Sequence, residues 1–345
     1  MKRVQHLLLP LAVLLSVASP VQAQKVGSTS MQFLKVMPSA RATALGDAYA
    51  VWASGAEAVF WNPAGVPLMT GQQASLTYVR WIFDTQQGAL AYAVDLKGIG
   101  ALGAQLQFVD FGPIEEALWE SPYKDDIEYP GLTGATFRPY AYLVGLSYGA
   151  RITDRFSTGV SVKHAFESLY GSGSVTAINR RGDDSDTVSV KTWANGFLFD
   201  FGLHYNTGFR SVKIAASMQN FGADVRYALE SNPVPLSLRV GVAADLIGRD
   251  ALLSYDDDLR VGVAFDLFQP NDYAQQAHAG VELEYGGALA LRLGNKFGYD
   301  ADGFTMGLGV RQPVAGVGFS FDYSFASLRF QLGSVHRLSM GVDIQ

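Results

Sequence analysis

The sequence has no cysteine, which excludes a disulfide framework, a thiolate metal site and a lipid-bearing cysteine behind a leader. Charge is also scarce: Asp, Glu, Lys and Arg make up 17% of the 345 residues, against roughly 25% in an ordinary soluble domain. Positive charge is in deficit, with a net of -6, and that balance argues against nucleic acid as a partner. Beyond residue 23 no run of 18 apolar residues occurs, so helical membrane spans are excluded. A chain that enters lipid without such helices satisfies its backbone only by closing a β-barrel.

What is present fits that route. The N-terminus reads as a cleavable secretory leader over residues 1–23: Lys2 and Arg3, an apolar stretch from Leu7 to Val17, then small residues at Val21-Gln22-Ala23. Cleavage after Ala23 removes two positive charges, taking the net from -6 to -8. The remainder is 48% hydrophobic and 12% aromatic over the whole sequence, with 37 glycines. So many glycines with so few charges is unusual for a soluble enzyme.

Periodicity gives the fold class. From Leu236 to Leu246 the apolar Leu236, Leu238, Val240, Val242, Ala244 and Leu246 alternate without a break against Ser237, Arg239, Gly241, Ala243 and Asp245, the period of a strand with one oily face. The same pattern predicts strands near 72–79, 87–96, 99–109, 139–151, 155–167, 193–206, 210–220, 236–246, 259–268, 277–285, 288–297, 303–311, 316–326 and 335–344. The expectation is an all-β protein: a transmembrane antiparallel β-barrel of about 14 strands over residues 71–345, an even number as in single-chain bacterial barrels. The long connections 110–138, 168–192 and 221–235 share one side, and the short ones fall on the other except 247–258. In an outer-membrane barrel the long loops lie outside, which predicts a bacterial outer-membrane location with both termini periplasmic.

Residues 24–70 read differently. Ser39 to Ala53 is alanine-rich, follows Pro38, and opens on a serine able to cap a helix. Trp61-Asn62-Pro63-Ala64-Gly65 then specifies a rigid turn. A short helix and turn ahead of a barrel fit most economically inside it, as a plug.

Several of these stretches resemble the PorV/PorQ family of outer-membrane proteins, which is related in architecture to the FadL fatty-acid transporters. The resemblance is carried by Phe33-Leu34, Ser39-Ala40-Arg41, Ala44-Leu45-Gly46-Asp47-Ala48 and Trp61 to Gly65. Later elements are Gln219-Asn220-Phe221-Gly222, Pro235 to Gly241, Lys296-Phe297-Gly298-Tyr299, Leu332-Gly333 and His336 to Gly341. Asn62-Pro63-Ala64 is similar to a motif in the hatch of FadL-like barrels, which implies a plugged pore. The hatch residues carried over are Arg41, Gly46, Asp47, Asn62, Pro63, Ala64 and Gly65. The chain departs from many outer-membrane barrels in ending Ile344-Gln345 rather than on an aromatic residue.

Two patterns that suggest enzymes lack the context their chemistry needs. Gly145-Leu146-Ser147-Tyr148-Gly149 fits a nucleophile elbow but lies inside an alternating strand with no helix after it. Gly98-Ile99-Gly100-Ala101-Leu102-Gly103 opens a strand, so it offers no helix N-terminus to a pyrophosphate. The histidines lie on separate strands, and the acidic runs Asp183-Asp184/Asp186 and Asp256-Asp257-Asp258 lack a calcium-loop pattern. No catalytic residue, metal site or cofactor is expected. Arg239, Asp245, Arg260, Asp266, Glu282, Glu284, Arg292 and Lys296 interleave opposite signs on neighbouring strands. Charges face lipid only at a cost of about 2–4 kcal/mol at the midplane, so these are read as an inward-facing, self-neutralising network.

The resemblance implies a non-enzymatic barrel serving type IX-like protein secretion as an accessory or shuttle, touching secretion proteins or exported cargo besides membrane lipid and lipopolysaccharide. The alternative is FadL-like uptake of a hydrophobic ligand, with Phe108, Phe111, Trp119 and Tyr123 lining an entry groove.

Overall fold

The computed structural model describes residues 27–118, 131–171, 174–181, 184–228 and 230–344. The leader, Trp119, Tyr123 and Asp183 lie outside the described residues. Fourteen strands close into one barrel: β1 Gln72–Arg80, β2 Gln86–Asp95, β3 Ala101–Asp110, β4 Tyr140–Arg151, β5 Phe156–Ser168, β6 Trp193–Asn206 and β7 Lys213–Gly222. The circuit continues with β8 Ser237–Ile247, β9 Leu259–Pro270, β10 Gln276–Tyr285, β11 Leu289–Phe297, β12 Phe304–Val314, β13 Val317–Ser327 and β14 Ser334–Ile344. Every predicted strand is present, its ends displaced by a few residues at most. Neighbours pair antiparallel in chain order, and β14 closes on β1 from Gln72 opposite Ile344 to Arg80 opposite His336. Closure leaves no strand edge unpaired, which hydrocarbon requires.

Alternation sorts the side chains as the period demands. Leu146 and Phe197 stand outward at 67% and 63% exposure, whereas the inward Ser147 and Leu198 are buried. The outward set, including Leu76, Leu90, Val160, Val162, Phe199 and Leu308, supplies the apolar band that faces lipid. At one mouth the turns are short. Between β12 and β13 only Ala315 and Gly316 intervene, both at positive φ, the twist a two-residue hairpin needs. At the other mouth the three long connections carry two-stranded hairpins of their own: Ile114–Leu118 with Gly131–Phe137, Ser174–Arg181 with Asp184–Lys191, and Val225–Tyr227 with Glu230–Asn232. Sequence periodicity read these stretches as plain connections, because they are short and have no oily face.

Residues 28–69 fill the lumen. They start at the long-loop mouth, where Ser30 N donates to the Pro233 carbonyl at 2.9 Å and Thr29 Oγ1 donates to Asp272 at 2.6 Å. They leave at the short-turn mouth, where Arg151 Nε donates to the Pro67 carbonyl at 2.8 Å and β1 begins. Sharing of one side by both termini, expected from strand parity, meets a chain whose described ends lie at opposite mouths. The plug crosses the lumen once before β1, and that crossing reverses the side of entry.

The helix expected over Ser39 to Ala53 is confined to Ala40–Ala44. Ser39 caps it as anticipated, its side chain accepting from Ala42 N at 3.2 Å. Gly46 and Asp47, both at φ 66°, end it. The reason is the wall: a Cβ on Gly46 would lie 2.6 Å from Asn295 N, so the backbone turns where it meets β11.

Candidate functional site

The lumen is where the plug, the buried charges and the cavities meet. Along the wall, glycines accept the plug backbone. A Cβ at Gly294 would lie 2.0 Å from Gly46 N, one at Gly159 would lie 2.3 Å from the Pro63 carbonyl, and one at Gly202 would lie 2.1 Å from Asn62 Oδ1. Much of the glycine excess is therefore close approach on the inner face.

Asn62 anchors the turn in three directions. Its Oδ1 accepts from Ala64 N at 3.1 Å, and its Nδ2 donates to the carbonyls of Ala50 at 3.3 Å and Leu203 at 3.2 Å. Pro63 opens the 3-10 helix Pro63–Leu68, where its missing N–H costs nothing. The Ala64 carbonyl accepts from Ser157 Oγ on β5 at 2.8 Å. Gly65 has no room for a side chain, since a Cβ would stand 2.0 Å from the Ala53 carbonyl oxygen.

The predicted charges all fall on the inner face, and the structure joins them to the plug. Glu282, fully buried, is the hub: Arg41 meets it through Nε at 3.0 Å and Nη2 at 2.9 Å, Arg260 at 2.8 Å, and Arg292 at 2.6 Å. Arg260 also reaches Asp245 at 2.9 Å and Glu284 at 3.4 Å near the short-turn mouth. Lys296 pairs with Asp47 at 2.6 Å. Arg239 lies 3.5 Å from Asp266 and donates to the Asp47 carbonyl at 2.8 Å. Asp266 Oδ2 accepts from the backbone of Tyr49 and Ala50, both at 3.0 Å. The network thus joins wall residues to one another across neighbouring strands and also pins the plug to the wall through Arg41 and Asp47.

Burial raises the pKa of the Asp47 carboxyl, yet Lys296, His278 and Arg239 around it outweigh that and hold it at about 2. Glu57 is pushed upward instead, burial dominating, while Ser39 and Tyr49 each donate to it at 3.0 Å.

Sequence reasoning missed Asp322, 2.6 Å from Arg292, the Lys163–Asp200 pair at 2.7 Å, Asp302 beside Lys296 at 3.2 Å, and Arg337. Strand parity carried the signal for Lys163, Asp200, Asp322 and Arg337, all inward by alternation. Ser147 shares a buried 2.7 Å hydrogen bond with Ser161 Oγ on the inner face of β5. Of the proposed groove aromatics, Phe111 lines a cavity. Phe108 is 49% exposed on the outward face and stacks on Tyr140, because its parity is that of the lipid-facing residues.

Two cavities flank the plug without sharing a lining residue. The one at the long-loop mouth, about 540 Å³, runs from Phe33 and Leu34 to Arg239, Lys296 and Arg337. The one at the short-turn mouth, about 350 Å³, is bounded by Arg41, Glu57, Arg311 and Asp322. Between them Ala40 N donates to Ser339 Oγ on β14 at 3.0 Å.

A family model described as type IX secretion system protein PorV matches residues 19–269. The chain belongs to the PorV family. In this PorV-family barrel the match takes in the whole plug and the wall through nearly all of β9. The fold is similar to the toluene transporter TbuX of Ralstonia pickettii, with TM-score 0.54 and 15% identity over 88% of this chain and 96% of that one. It is also similar to the Pseudomonas putida toluene transporter TodX, with TM-score 0.54 and 13% identity over 87% and 95%. A third neighbour is the CymD monoaromatic hydrocarbon channel, with TM-score 0.51 and 12% identity over 88% and 96%. At these identities the likeness establishes the fold, that of an outer-membrane barrel. No curated protein sequence matches the chain.

Proposed function

We propose that this PorV-family protein is a non-enzymatic, plugged outer-membrane barrel that serves type IX-like protein secretion as an accessory or shuttle. The family match over residues 19–269 carries the reading. The long-loop mouth faces outward and Ile344 the periplasm, since long loops mark the outside of such barrels. The three loop hairpins, with the plug end at Ser30 hydrogen-bonded to Pro233 among them, form the surface offered to secretion proteins or exported cargo. The outward apolar band contacts membrane lipid, with lipopolysaccharide in the outer leaflet. Arg41, Asp47 and Asn62 to Gly65 hold the plug in place. Deleting the gene is expected to trap secreted proteins inside the cell, measured by comparing surface and periplasmic fractions. Secretion at normal levels in the deletion strain defeats the reading.

A second reading, uptake of a hydrophobic small molecule, is favoured by the apolar walls of the 540 Å³ cavity. Its test is growth or uptake on such a compound in the same deletion strain.

A further inference from the structure

The cavity at the short-turn mouth carries more negative than positive charge, and two polar atoms of its lining lack partners. Three carboxylates line it, Glu57, Asp322 and Asp343, against two guanidiniums, Arg41 and Arg311. Each guanidinium has a carboxylate outside the lining, Glu282 at 2.9 Å from Arg41 and Glu284 at 3.9 Å from Arg311, and Asp322 is paired with Arg292. Among the described residues Glu57 and Asp343 join no ion pair: Glu57 accepts from Ser39 and Tyr49, and Asp343 Oδ2 accepts from Gln73 at 3.0 Å. Arg41 offsets Glu57 only in part, and burial still pushes that carboxyl upward. Asp343 Oδ1 is buried without a partner, as is the Oγ of Ser75, a residue 7% exposed.

Strand register explains the hollow. Inward positions run Arg311, Ser320, Gly341, Ser75 across β12, β13, β14 and β1, and the next row toward the mouth runs Gly318, Asp343, Gln73. Glycine and serine leave the wall open between Arg311 and Ser75, three strand spacings or roughly 14 Å apart. Ser75 and Asp343 are diagonal neighbours on adjacent strands, roughly 7–8 Å apart, a gap that one ammonium bonded to both side chains spans.

The chemistry selects the occupant. The excess carboxylate repels an anion, and a neutral molecule leaves it uncompensated. No group of acidic or histidine side chains that could hold a metal ion occurs among the described residues. A primary ammonium brings three donors on one charge, which suits Asp343 Oδ1 and Ser75 Oγ as acceptors. The rest of the lining is rich in hydroxyls, with Ser54, Ser320 and Ser339, and its volume is about 350 Å³, at the lower end of the roughly 300–1,000 Å³ of small-molecule sites.

We propose that this cavity binds a small amino-polyol, whose single ammonium sits between Asp343 and Ser75 while its hydroxyls face the serines. The inference is independent of the secretion role and of the cavity at the other mouth.

The test is saturation-transfer NMR titration of the full barrel in lipid nanodiscs, with empty nanodiscs subtracted. The probes are glucamine and sorbitol, which differ by an ammonium in place of one terminal hydroxyl. Glucamine is expected to bind about tenfold tighter, as a charge-assisted pair should. Asp343→Asn is expected to bring glucamine down to sorbitol's affinity. Arg311→Gln, by removing a like charge, is expected to tighten glucamine several-fold. Ser75→Ala is expected to weaken it about threefold while leaving the unfolding midpoint unchanged or raised, since that hydroxyl bonds nothing in the chain. Heat-dependent gel mobility reports whether each variant is folded, and if Asp343→Asn does not fold, Ser75→Ala decides. Equal binding of the two probes by the native barrel overturns the proposal, as does a preference for glucamine undiminished in Asp343→Asn or Ser75→Ala. A lysine-bearing peptide that displaces glucamine at lower concentrations than unlabelled glucamine itself requires also overturns it, by assigning the site to a polypeptide.

Discussion

The two halves of this barrel hold the same plug by different means. From β8 to β14 the inner face is charged: Arg239, Asp266, Glu282, Arg292 and Asp322 are buried and Lys296 is partly so, and they grip Arg41, Asp47 and the backbone at Tyr49 and Ala50. From β2 to β6 the wall is small and weakly polar, with Ala89, Ala91, Gly103, Ser147, Gly159 and Gly202, and among the described residues it carries one buried ion pair, Lys163–Asp200. There the plug at Val59 to Val66 lies close and is held by neutral hydrogen bonds, from Gln105 to the Val59 carbonyl, from Ser157 to the Ala64 carbonyl and from Asn62 to the Leu203 carbonyl. The outer connections divide along similar lines, long and hairpin-bearing from β3 to β8 and short from β9 to β14. Directional charge fixes register on one side, and on the other the absence of side chains lets two backbones meet.

The largest expected effect lies in the charged half. Glu282→Gln leaves Arg41, Arg260 and Arg292 without their shared carboxylate, at a cost of about 3–5 kcal/mol. The fall in unfolding midpoint of the detergent-solubilised barrel measures it. A cost below that of substitutions in the β2–β6 half would erase the contrast between the two halves.

Next come the glycines. Gly159→Ala and Gly202→Ala, pressed against Pro63 and Asn62, are each expected to cost about 1–3 kcal/mol by overpacking and to raise single-channel conductance in planar bilayers as the plug shifts. Unchanged conductance with full stability would mean the plug does not bear on this wall.

Asp47 sharpens the comparison by pH. Its carboxyl is held at about 2 in the folded chain against 3.8 ordinarily, so its stabilising share, roughly 2 kcal/mol, is present above the ordinary value. That share fades as pH falls from about 4 through about 2. Asp47→Asn should remove this acid-sensitive component from the midpoint measured across that range. An unaltered pH profile in the variant would refute the role given to Lys296.

Asn62→Ala is expected to cost about 0.5–2 kcal/mol through the lost cap, read in the same unfolding assay. Ser147→Ala should be smallest, about 1 kcal/mol or less from one neutral hydrogen bond, with no change in secretion. Loss of secretion in a folded Ser147→Ala barrel would reopen a chemical role for that serine.

Period-2 alternation located all fourteen strands because each must turn one face to lipid and the other inward, and a slip of one residue would exchange them. Ser39 as a cap and Asn62-Pro63 as a turn were legible for similarly local reasons. The helix beyond Ala44 was not, since alanine favours it while the approach of Gly46 to Asn295 stops it.

The sequence by itself determined the closed barrel, the sidedness of its loops and the inward direction of Arg239, Glu282 and Arg292, because these depend on spacing along one strand. Tertiary structure alone decided that Arg41 and Asp47 meet Glu282 and Lys296, that glycines on β5, β6 and β11 receive the plug, and that Arg337 donates to the Met37 carbonyl. Those contacts join residues about 100 to 300 positions apart. Which plug residue faces which strand follows from the path of one chain across the lumen, and no local period encodes that path.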